Sequence, residues 1–98
     1  SASLARRTAV ARQLRAEWMR YDAGRETAVK NRRVLSQKIS AIEDQIASQL
    51  ITYESGSGDY SPILDGEIAV LMLRAEIVKE DIRRDQMIAK MNSLLVPS

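Results

Sequence analysis

Residues 53–66 read Tyr-Glu-Ser-Gly-Ser-Gly-Asp-Tyr-Ser-Pro-Ile-Leu-Asp-Gly, a glycine-bearing break between two long stretches whose apolar residues recur at alternating steps of three and four. That period places the apolar side chains along one line of an α-helix, and two such lines joined by a short break describe a helical hairpin. The predicted fold class is therefore all-α: a long antiparallel hairpin of coiled-coil type that packs with other helices into a bundle or the wall of an α-barrel. The chain, 98 residues long, is read as a single hairpin unit, with one helix over about 3–54, a tip turn over about 55–61 and a second helix over about 62–95.

In the first segment the register runs Leu4, Arg7, Ala11, Leu14, Trp18, Tyr21, Arg25, Ala28, Arg32, Leu35, Ile39, Ile42, Ile46, Gln49, Tyr53. A seam of this length implies a rod of roughly 75 Å at about 1.5 Å per residue, which needs other helices beside it. Arg25 and Arg32 interrupt the apolar line, so its middle is expected to be looser or wetter than its ends. Gly24 weakens the helix by about 1 kcal/mol relative to Ala. It permits a bend or a close helix crossing, or is simply a tolerated surface glycine.

At the break, Gly56 suits the left-handed conformation that closes a helix, and Gly58 loosens the return. Asp59 or Ser61 is expected to cap the next helix. Pro62 fits the first helical turn, where the missing N–H has no helical partner to lose. So short a connection makes the two helices antiparallel neighbours.

The second helix, predicted to stop before Pro97, carries two apolar edges. One is Leu64, Ile68, Leu71, Ala75, Val78, Ile82 and Ala89; the other is Ile63, Val70, Leu73, Ile77, Met87, Met91 and Leu94. A two-helix hairpin needs one edge, so the second asks for further neighbours. Met72, Met87 and Met91 sit at helical spacing and are read as packing residues. Glu76, Glu80, Asp81 and Asp85, interleaved with Lys79, Arg83 and Arg84, are read as surface ion pairs.

Composition closes off several functions. With no Cys there is no thiol nucleophile or cysteine zinc site, and with no His the usual acid–base catalyst and metal ligand is missing. No metal site or cofactor is expected, and the chain is read as a non-enzyme. No run reaches the ~20 apolar residues of a membrane-spanning helix, and the start does not have the order of a secretory signal. Because it begins at Ser1 rather than Met, the chain is expected to be a mature product or a piece of something longer, natural or engineered.

Residues 1–50 hold ten Arg/Lys and five Asp/Glu, whereas residues 51–98 hold five and eight, so the two halves carry opposite net charge and attract when packed. The basic half has Glu17, Asp22 and Glu26 at helical spacing and no stacking aromatics among its arginines. A solvated helix face explains it better than a nucleic-acid footprint.

A long helix ending in Tyr-x-x-Gly, a short irregular turn, then Leu-Asp-Gly opening a helix rich in Leu, Ala and Glu resembles the second helical hairpin of the TolC-like outer-membrane efflux channels. Tyr53, Gly56, Leu64, Asp65 and Gly66 carry the resemblance, which extends weakly over nearly the whole chain. It implies the periplasmic part of an outer-membrane protein, in which three protomers each supply two hairpins to a twelve-helix tunnel. The hairpin tips, here Ser55, Gly56, Ser57, Gly58 and Asp59, would meet a periplasmic adaptor that connects to an inner-membrane pump. The resemblance further implies that Tyr53 helps tie neighbouring hairpins at the gate and that Asp65 belongs to a ring of pore-facing acids. Gly58 stands where some of these channels place a gate arginine, and Pro62 where they place a second inward aspartate, so the gate is expected to hold less tightly. Asp65 also has a plain local reading, an acid favoured at a helix N-terminus. The competing reading of the whole chain is a generic coiled-coil interaction module or homodimeric four-helix bundle.

Overall fold

The computed structural model describes residues 1–96 and shows two helices and no strand among them. Helix α1 spans Ala2–Glu54 and helix α2 spans Ser61–Ser93. They run antiparallel in an extended hairpin measuring 83 × 18 × 13 Å. The bounds differ little from the sequence expectation: α2 starts one residue earlier and gives way to a turn at Leu94 and Leu95. The expected stop before Pro97 lies outside the described residues.

Ser1 caps α1, its hydroxyl accepting from the Leu4 N–H at 3.2 Å. At the other end the chain closes in a Schellman turn. Gly56 adopts φ 83°, its N–H donates to the Tyr53 carbonyl at 3.0 Å, and the Ser57 N–H reaches back to the Thr52 carbonyl at 3.3 Å. These bonds satisfy helix-end carbonyls, and only glycine takes this φ without steric cost. The start of α2 departs from expectation. Tyr60 occupies the cap position with no side-chain bond, while Asp59 accepts from the Ser61 N–H at 3.3 Å. Pro62 follows in the first turn, where its ring costs no helical hydrogen bond.

Of the two apolar edges of α2, the hairpin uses one. Ile63, Val70 and Met91 are buried, and Leu73, Ile77, Met87 and Leu94 are half-buried on the same line. The other edge is bare: Leu64, Ile68, Leu71, Ala75, Val78, Ile82 and Ala89 are all exposed, with Leu71 at 65%. Met72 is exposed beside it, contrary to the packing role expected of all three methionines.

The used edge continues through Gly66, Glu80 and Arg84, giving an unbroken succession of three- and four-residue steps from Ile63 to Leu94. Gly66 is there because the helices come close: a Cβ on it would lie 2.8 Å from Ile46 Cγ1. Gly24 plays the same part farther down, where a Cβ would lie 2.9 Å from Met87 Sδ. It therefore faces α2 and is covered by the Met87 side chain, so the surface reading is set aside.

On α1 the partners are the expected register from Tyr21 to Gln49, with Ala28 and Ile39 buried. Arg32 donates to Asp81 across the helices at 2.8 Å, and Arg74 lies 3.6 Å from Glu43. The charged middle is thus bridged by a partly solvated pair, Arg32 and Asp81, while Ala28 one turn away is buried. Glu80 is a correction to the surface ion-pair reading. It is buried, with Arg83 donating to Oε1 at 3.3 Å and Oε2 enclosed without a hydrogen bond.

Helix α2 is shorter than α1, 33 residues against 53. Its end meets α1 near Leu14 and Trp18, which share an apolar recess with Leu94 and Leu95. The register predicted from Leu4 to Ala11 therefore has none of the described residues of α2 packed on it, and residues 1–16 are exposed throughout.

Candidate functional site

Two features stand out as places of interaction: the tip and the bare edge of α2. The tip residues Ser55, Gly56, Ser57, Gly58 and Asp59 are all exposed. Their backbone is nonetheless held. Ser55 Oγ donates to the Thr52 carbonyl at 2.7 Å and lies 3.0 Å from Ser57 Oγ, while a Cβ on Gly58 would come 3.3 Å from Thr52 Cγ2. Gly58 is therefore pressed against the last turn of α1, a tighter arrangement than the loosened return expected of it. A small, polar, internally bonded knob of this kind presents backbone and hydroxyl groups in a fixed shape, which lowers the ordering cost of docking.

Tyr53 sits at the root of this knob. Its ring meets Tyr60 edge to face, with centroids 5.2 Å apart and planes at 61°, so the two tyrosines clamp the turn across its ends. Both rings stay partly exposed, leaving surface available to a neighbour. Sequence reasoning singled out Tyr53 and missed Tyr60. The signal was present as two tyrosines flanking a glycine turn.

Asp65 lies on the first full turn of α2, exposed, along a groove whose walls include the polar Gln45 and Gln49, the apolar Ile42, Ile46 and Ala69, and Pro62 and Gly66. Tip and groove are adjacent, since Pro62 borders both the groove and the recess formed by Thr52, Gly58 and Asp59. The structure thus brings Gly58, Asp59 and Asp65 to one end of the rod, with the Tyr53–Tyr60 pair between the two helices.

No group of three or more acidic residues is arranged to hold a metal ion among the described residues. In the same span, no helix is long and apolar enough to cross a membrane. What this geometry offers is surface: a shaped tip and a bare apolar edge running down α2. Compared with protein-family models, curated proteins and solved structures, the chain finds no match in any of the three.

Proposed function

We propose that this chain is a wall hairpin of a TolC-like outer-membrane efflux duct, a non-catalytic transport element whose helices line a periplasmic conduit. Its tip, Ser55 to Asp59, docks a periplasmic adaptor that links the duct to an inner-membrane pump. The observation that carries this reading is the bare edge of α2, seven apolar positions in heptad register with no helix against them. A wall helix has neighbours on two sides and needs an edge for each. Supporting it, the residues behind the resemblance occupy mechanically consistent places: Gly56 closes α1, Tyr53 braces the turn, Gly66 admits the close crossing and Asp65 stands exposed beside it.

The test is made at the tip. The order of residues 55–59 is scrambled with Gly56 kept, and binding to a purified periplasmic adaptor of a TolC-type efflux system is measured with helix content monitored in parallel. The expected result is loss of adaptor binding with unchanged helicity. Undiminished binding, or an adaptor that never binds the unaltered chain, would leave the hairpin a general coiled-coil module and reject the duct.

A further inference from the structure

Tyr60 stands where the start of a helix favours Ser, Thr, Asp or Asn, and its side chain makes no capping bond. No such bond is needed. Asp59 accepts from the Ser61 N–H at 3.3 Å, Pro62 has no N–H to satisfy, and the Tyr60 carbonyl accepts from Ile63 at 3.0 Å and from Leu64 at 3.1 Å. With the donors of the first turn met, the side chain at position 60 is released for another use.

The returning limb of the tip is where a hold is missing. Backbone hydrogen bonds tie the turn to α1 as far as Ser57, whose N–H donates to the Thr52 carbonyl. Among the described residues, none ties residues 58–60 to α1. Two packing contacts do so instead. The Gly58 backbone lies against Thr52, which donates its hydroxyl to the Ser48 carbonyl at 3.3 Å and keeps its methyl for the glycine. The Tyr60 ring meets Tyr53 edge to face, an arrangement that contributes more than its contact area alone.

We propose that Tyr60 is a positioning residue for docking: by holding Tyr53, its ring fixes the returning limb on α1 and so sets the shape in which Ser55 to Asp59 meet a partner. The role rests on the tip-docking reading, and it adds a residue outside the set that carries the family resemblance. Fixing the limb beforehand lowers the ordering cost of binding. The buried seam starts past the ring, at Ile63, so the hairpin closes without it and the tip alone depends on it.

Backbone amide exchange followed by NMR on the whole chain tests this, with Gly56 and Ser57 reporting the tip and Ile39 and Val70 reporting the seam. Tyr60→Ala removes the ring, Tyr60→Phe keeps it, and Tyr60→Asp replaces it with a favoured cap residue. Exchange at the tip is expected to quicken by about two- to tenfold in the Ala and Asp variants, the range an aromatic pair supports. The Phe variant should match the unaltered chain, and seam amides should hold steady in all three. Unchanged tip exchange in Tyr60→Ala overturns the proposal, as does a tip held by Tyr60→Asp, which would make residue 60 a cap. Equal quickening at the seam overturns it too, because Tyr60 would then serve general stability. The same variants are titrated with a purified periplasmic adaptor of a TolC-type efflux system, where affinity should fall for Ala and Asp and persist for Phe. Undiminished binding by Tyr60→Ala with a loosened tip overturns the positioning role. An adaptor that ignores even the unaltered chain rejects the duct reading and leaves the exchange result to decide the clamp.

Discussion

Ile63 and Leu64 are neighbours in sequence with similar side chains, yet they lie on different edges of α2, and truncating each to Ala should separate the two edges energetically. Ile63 is 1% exposed and Leu64 is 47% exposed. Either change removes three methyl or methylene groups, which is about 2.4 kcal/mol of transfer energy at ~0.8 per group when fully buried. At Ile63 the whole of this is lost and the hole lies between two helices, so the expected cost is about 3–4 kcal/mol. At Leu64 about half the side chain is already in water and no enclosed hole forms, so roughly 1 kcal/mol is expected. Urea unfolding followed by helical circular dichroism, on dilute protein to keep chains apart, measures both. The midpoint should move far more for Ile63→Ala with little change in slope. An equal or larger loss for Leu64→Ala under those conditions would show that the hairpin packs on the other edge. Raising the protein concentration adds a second arm, because covering the bare edge should enlarge the cost of Leu64→Ala while leaving that of Ile63→Ala nearly constant.

Gly56→Ala forces an L side chain into φ 83° and should cost about 1–2 kcal/mol, read as a lower thermal midpoint with unchanged helix content. Glu80→Leu removes an enclosed oxygen that lacks a partner and frees Arg83 at the surface; a gain of about 1–3 kcal/mol in urea is expected, and a loss would show that the carboxylate has a partner. On the proposed duct reading, Asp65→Ala in the full-length protein should reduce cation selectivity in single-channel recordings, and unchanged selectivity would remove Asp65 from any pore ring.

The hairpin itself was legible because heptad spacing is a strong signal over long helices, and the α1 register from Tyr21 to Gln49 is the one that packs. The two edges of α2 were legible as well. Which of them faces α1 was not, because the sets are offset by only one or two residues and the apolar count favours neither. The deciding residues were disguised: Gly66, Glu80 and Arg84 do not look like seam residues, yet they complete the buried line. Gly24 was ambiguous for the same reason, since a glycine declares its purpose only when the atom opposite it, here Met87 Sδ, is known. Asp59 and Ser61 have the chemistry of helix caps, but the backbone route through Tyr60 leaves Asp59 one residue too early to serve as the cap. At the tip, the glycines and the tyrosine at its root could be picked out, whereas the Tyr53–Tyr60 clamp needed the return path of the chain. The bare start of α1 follows from unequal helix lengths alone.

Sedimentation equilibrium across the micromolar range tests the idea beneath all of this, that α2 is apolar on two sides and the hairpin can shelter just one. The apparent mass should climb above the 11.0 kDa of a single chain as concentration rises, and fall back when Leu71→Glu places a charge on the uncovered side. A constant single-chain mass at every concentration, with no binding of an apolar dye, would mean that the second side needs no cover, and the account would fail.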